Sequence, residues 1–146
     1  MKKFANYLIL PEFRLILECC KGQASVEDAI YMKKTELSDN LYNPNYNIIV
    51  DFQEFETFID TTTNKSISNF FNFLKQIDIK SKVAFLTTKP PQVVISEILK
   101  RLSSKSLTAS IETFSTTEAA IRFIGHSKDK LDQISSKISE LNKSTG

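Results

Sequence analysis

Apolar positions in this chain come in two kinds of pattern, short β-rich runs and longer stretches at helical spacing, and the two alternate. Tyr7 to Leu10 and Leu15 to Cys20 are β-rich runs separated by Pro11-Glu12-Phe13-Arg14, the spacing of an antiparallel hairpin with a four-residue connection. Ser25 then opens a helix, with Asp28 three residues on as an approximate capping box and Val26, Ala29, Ile30 and Leu37 on one face. Lys33 interrupts that stripe and is expected at its margin, stem packed and ammonium in water.

The Asn-rich turn Ser38 to Asn47 ends this helix, because Asn tolerates turn conformations and Pro44 cannot continue an α pattern. Ile48, Ile49 and Val50 follow as an apolar run without alternation, the mark of a central strand covered on both faces. From Asn64 or Lys65 to about Ile77, the apolar residues Ile67, Phe70, Phe71, Leu74 and Ile77 give the cleanest helical stripe in the chain. Lys82 to Thr88 is another short strand. Pro90 and Pro91 separate it from a helix of about Gln92 to Ser103, Leu107 to Phe114 forms a further strand, and a short helix of Glu118 to Ile124 stops at Gly125. Ser127 to Lys143 adds a last helix with a narrow seam of Leu131, Ile134, Ile138 and Leu141.

The order ββαβαβαβαα predicts an α/β fold: a mostly parallel, mixed five-stranded sheet with an N-terminal antiparallel hairpin, helices on its faces and right-handed crossovers. Residues 1–125 form this domain. Residues 126–146 form an amphipathic helix and tail that either packs on the domain or mediates self-association as a homodimer.

Composition narrows the function classes. The 146 residues fit one domain with a single substantial core, and 11 Phe without Trp make that core Phe-rich. The 19 basic and 17 acidic residues are interspersed, so no face suited to a nucleic-acid backbone emerges. No apolar run approaches the roughly 20 residues of a membrane span, and Met1-Lys2-Lys3 leads only into the short stretch YLIL, so a cytoplasmic location is expected. Cys19 and Cys20 are adjacent in a strand and point to opposite faces, which disfavours a disulfide between them. One histidine, His126, and three glycines leave no pattern for a metal or a phosphate loop, and no cofactor is expected.

The segments LECCKGQASVEDAI, YNPNYNIIVDF, KVAFLTTKP and ETFSTTEAAIRFIG carry a resemblance that covers about Tyr7 to Gly125. The chain resembles the STAS-like family, and within it the branch similar to stage II sporulation protein AA. The resemblance implies a regulatory module controlled by a kinase that phosphorylates a Ser or Thr at the helix after the central strand. Here that stretch is Ile59-Asp60-Thr61-Thr62-Thr63, with Thr in place of Ser and no following Gly. The resemblance also implies partner or ligand binding, with an overall similarity to lipid-binding CRAL-TRIO domains.

Two sites follow. Asp60, Thr61 and Thr62 form the candidate switch, with one Thr as helix cap in the structural reading. Asp51, Thr88 and Lys89 lie by topology at the strand ends where open parallel sheets place their crevice, and an Asp51–Lys89 ion pair is the simplest structural explanation of both charges. His126 is expected to be an exposed or hinge residue. The sequence thus points to a non-enzymatic regulatory or protein-interaction module, with a protein partner such as a kinase or regulator. The alternative is a carrier of a small apolar, lipid-like ligand, motivated by Phe70, Phe71 and Leu74.

Overall fold

A computed structural model describes residues 3–146; Met1 and Lys2, on which the reading of the N-terminus drew, lie outside the described residues. The hairpin is β1 (Ala5–Leu10) and β2 (Leu15–Cys20), joined by a 3₁₀ turn at Pro11–Phe13. The turn closes with Arg14 in the left-handed region. Three strand–helix units follow: α1 (Val26–Leu37) leads to β3 (Asn47–Asp51), α2 (Thr63–Leu74) to β4 (Lys82–Leu86), and α3 (Pro90–Ser106) to β5 (Ser110–Phe114). The chain ends with α4 (Thr117–Phe123), a 3₁₀ turn at Lys128–Lys130 and α5 (Leu131–Lys143).

Spatial order equals chain order, β1-β2-β3-β4-β5, with β1 antiparallel to β2 and the other pairs parallel. Each crossover therefore steps in the same direction, and a common right hand puts α1, α2 and α3 on one face of the sheet. The opposite face is left for α4 and α5. Two cores result. Ile16, Ile48, Val50, Val83, Phe85 and Ile111 pack under the three crossover helices. Leu15, Leu17, Ile49, Ala84 and Leu86 pack under the last two, the alternation expected of strands buried on both faces.

Most elements stand within a few residues of their sequence-based bounds. The capping box at α1 forms, with the Asp28 N–H donating to Ser25 Oγ at 3.1 Å and the Ser25 N–H to Asp28 Oδ2 at 2.8 Å. Ile77 falls outside α2, in a turn where its N–H donates to the Leu74 carbonyl. Ile134, Ile138 and Leu141 are buried in the second core with Ile121 and Ile124, and Leu131 packs at its margin. The seam faces the second core, with α5 lying on β1 and β2.

Two expectations are corrected. Lys33 does not reach water: it is 5% exposed, and its ammonium lies between Glu18 at 2.5 Å and Glu36 at 3.2 Å. Glu18 shares its strand face with Ile16 and Cys20 and so points into the first core. The Asp51–Lys89 pair does not form. Asp51 is buried, and its Oδ1 accepts from the backbone and side-chain nitrogens of Gln53 at 3.0 and 3.1 Å, while Lys89 is exposed at the start of α3.

Among the described residues, no helix is long and apolar enough to cross a membrane, and no group of His, Cys, Asp and Glu is placed to hold a metal ion.

Candidate functional site

The connection between β3 and α2, Phe52 to Thr62, is long for a compact α/β unit and carries the candidate switch at its end. Its base is held from two sides. Gly22, at a φ of 58°, forms an isolated parallel bridge with Phe55, donating to the Glu54 carbonyl at 2.9 Å and accepting from the Glu56 N–H at 2.7 Å. On the other side stands Gln92, wholly buried in the first turn of α3. Its Nε2 donates to the carbonyls of Gln53 and Phe55 at 3.3 and 2.9 Å, and its Oε1 accepts from the backbone N–H groups of Thr88 and Lys89 at 2.8 and 3.1 Å. One side chain thereby satisfies four groups and welds the loop to the next strand end.

Beyond Glu56 the loop leaves these anchors. Phe58 and Ile59 project outward, 78% and 48% exposed. The chain is gathered again at Asp60, whose Oδ1 accepts from the N–H and hydroxyl of Thr62 at 2.8 and 2.7 Å, while its own N–H donates to Thr63 Oγ1 at 2.9 Å. These bonds close the Asx turn that leads into α2, whose N-cap residue Thr62 makes no side-chain cap bond of its own. The Thr62 hydrogen bonds hold the Asp60 carboxyl below its ordinary range. Of the Thr triplet, Thr63 is buried and accepts from the Asp60 N–H, Thr62 is exposed yet bonded to Asp60, and Thr61 is exposed.

Beneath this loop lies a cavity of about 370 Å³ between α1, α2, α3 and the first face of the sheet. It exists because small side chains, Cys20, Ala24, Ala29 and Ser66, occupy positions where a larger residue would fill the gap between α1 and α2. The opposing wall is aromatic: Phe52 packs against Phe55 and Phe85 with ring centroids 4.9 Å apart in each case. Glu18 lines the cavity and also borders a smaller void of about 40 Å³ that continues deeper, past Phe70 and Leu99 toward Lys33.

Glu18, Lys33 and Glu36 form a buried cluster behind the cavity wall. Burial, joined by the neighbouring Glu18 carboxylate, pushes the Glu36 carboxyl up to about 9, so it holds its proton at neutral pH. Glu36 Oε1 is buried without a hydrogen-bond partner among the described residues. Burial pulls the Lys33 ammonium toward neutrality, but its contacts with Glu18 and Glu36 outweigh it and raise its pKa, keeping it charged. Burial also raises both thiols, Cys19 to about 12 and Cys20 further, so Cys20 meets the cavity as a small apolar group.

The sequence-predicted residues therefore divide. Asp60 and Thr62 stand at the cavity mouth, and Thr61 follows them on the surface. Thr88 donates to the Gln53 carbonyl at 3.0 Å and, with Lys89, belongs to the junction organised by Gln92. Asp51 lies on the same strand face as Ile49, turned toward α4 and α5 and away from the cavity. His126 is half-buried and ties the α4–α5 link to the hairpin turn: its Nε2 is 2.6 Å from the Phe13 carbonyl and therefore donates to it. Sequence reasoning passed over Glu18, Glu36 and Gln92 as site residues and placed the Lys33 ammonium in water. The available signal was Glu18 itself, a carboxylate inside the apolar run LILECC.

No family model matches this chain, and no curated protein sequence matches it. Its structure is similar to that of an uncharacterised protein of the DUF3478 family, with a SpoIIAA-like fold, from Shewanella loihica. The two share 12% identity at a TM-score of 0.56, over 82% of this chain and 91% of that one. The chain has the SpoIIAA-like fold, and at this identity the likeness extends to the fold alone.

Proposed function

We propose that this protein is a non-catalytic binding module that holds a small, mostly apolar molecule between its three crossover helices and the sheet. The observation that carries this reading is the cavity of about 370 Å³, within the size range of ligand sites, apolar and aromatic in its walls with a few polar groups converging on it. The well-anchored base and exposed tip of the Phe52–Thr62 loop fit a mouth through which a ligand enters.

Native mass spectrometry of freshly purified protein tests the reading. The expected result is a fraction carrying a small organic adduct or, after extraction, uptake of an added phenylalkyl probe in a ratio of one to one. A uniform unliganded mass that no such probe alters would contradict it.

A second reading, a cytoplasmic regulatory module with a protein partner, is favoured by one observation. Phe58 and Ile59 share the C-terminal strand edge with Val93 and Val94, which are 37% and 40% exposed at the start of α3. In this reading Thr61 is the phosphorylation site, since its neighbours Thr62 and Thr63 are engaged with Asp60. Phosphopeptide mapping from cells would support it by finding phosphate on Thr61, and its absence under every growth condition would remove the switch.

A further inference from the structure

The charges around the cavity are one-sided. Its walls carry three carboxylates, Glu18, Glu27 and Asp60, and no Lys, Arg or His. Phe52, Phe55, Phe58, Phe70 and Phe85 add ring faces, whose quadrupoles attract cations and repel anions. A fatty acid or a phosphate monoester entering here would meet like charge with no counter-ion.

The buried cluster behind the wall likewise holds more acidic groups than basic ones. Two carboxylates, Glu18 and Glu36, share a single lysine, and Glu36 Oε1 is left without a protein donor. Glu18 Oε2 takes the Lys33 ammonium. A carboxylate offers about four acceptor positions, so Glu18 keeps capacity for a donor on its cavity side. We propose that the cavity selects an organic cation, a primary amine on a compact apolar or aromatic body, whose ammonium pairs with Glu18 while its body lies on Phe52, Phe55 and Phe85. The inference rests on the ligand-binding reading and specifies the ligand for it.

Charge balance gives this proposal a distinctive consequence. Without ligand, a protonated Glu36 leaves the cluster neutral as Glu18⁻, Lys33⁺ and Glu36-H. Bringing in one ammonium makes neutrality require that Glu36 release its proton to solvent. The other groups facing the cluster stay neutral in this range: Tyr7 on β1 is pushed up to about 12, and Tyr42 after α1 is also raised, both chiefly by burial. Asp39 is half-buried, and hydrogen bonds from the Leu41 N–H and from the Tyr7 hydroxyl at 2.7 Å hold its carboxyl below the ordinary range.

Isothermal calorimetry on the full chain at neutral pH, with phenylbutylamine, phenylbutanol and phenylbutyrate as matched probes, separates the outcomes. The amine should bind at least about tenfold tighter than the alcohol, and the carboxylate weakest. The amine's heat should vary with the ionisation enthalpy of the buffer, reporting proton release, and the alcohol's should not. Glu18→Gln should erase the amine's advantage over the alcohol. Should that variant fail to fold, Glu36→Gln retains Glu18 and should abolish the buffer dependence alone. Equal binding of amine and alcohol, or tighter binding of the carboxylate, would overturn the cation proposal and leave the ligand-binding reading standing. Binding of none of the three would overturn both.

Discussion

The Lys33 ammonium lies 2.5 Å from the Glu18 carboxylate inside the first core, with Glu36 3.2 Å away on the same nitrogen. Two charged residues five per cent exposed or less, on different elements, lock α1 to β2 behind the cavity wall. Buried ions stay folded only while paired, because desolvation costs several kcal/mol per ion.

Lys33→Met should therefore destabilise the protein by about 3–5 kcal/mol, since it leaves buried carboxylates uncompensated. Replacing the whole cluster, as Glu18→Leu, Lys33→Met and Glu36→Leu together, should bring stability back to near the parent value. Urea unfolding of the single and triple variants checks the pair of outcomes. A single variant as stable as the parent would mean that the ammonium is solvated.

Stability should also depend on pH through Glu36. Its folded pKa, about 9, is raised above the unfolded value of 4.5, so between them the native state keeps a proton that the unfolded chain has lost. The stabilisation from this group is complete below pH 4.5 and is lost as pH rises toward about 9, with a slope of at most about 1.4 kcal/mol per pH unit. Glu36→Gln mimics the protonated acid and should flatten this part of the profile. Parallel profiles of parent and variant across the window would show that Glu36 is already ionised in the folded state.

Much of the fold was legible because it depends on local periodicity: Ile48 to Val50 without alternation gave the central strand, and Ser25 with Asp28 gave the α1 cap. The placement of α5 was left open between two arrangements, since an apolar seam states only that Ile134, Ile138 and Leu141 must be buried. The site was less legible. Lys33 read as a solvated margin because its partner Glu18 is 15 residues away in sequence and across the strand–helix boundary. Gln92 was invisible for the same reason, as its partners Gln53 and Phe55 are 39 and 37 residues distant. Asp60 and Thr62 were found through their resemblance to a switch, yet what they border is a cavity made by small residues at Cys20, Ala24 and Ala29, an absence of volume that no motif records.

Gln92→Leu should cost about 3 kcal/mol, because the Thr88 and Lys89 N–H groups and the Gln53 and Phe55 carbonyls lose a buried partner. The cost should be local. Amide hydrogen exchange should speed up across residues 53–60 with protection in α5 unchanged, and uniform loss of protection would refute a specific role in holding the loop.

In the turn before α2, Asp60→Ala removes the acceptor for the Thr62 N–H and hydroxyl and should lower stability by about 1 kcal/mol. Thr61→Glu, on an exposed residue, should stay within about 0.5 kcal/mol of the parent. Urea midpoints decide: a large loss in Thr61→Glu would mean that the Thr61 side chain, and not Asp60, holds the turn.

The central claim is that the space under the Phe52–Thr62 loop is a binding site, and methyl-resolved NMR with phenylbutanol addresses it most directly. Saturable shifts should concentrate on the cavity-lining methyls of Met32, Ile67, Ile95 and Leu99, with Ile134 and Leu141 in the second core unmoved. Shifts absent from those four, or confined to surface residues such as Leu41 and Val94, would contradict the claim.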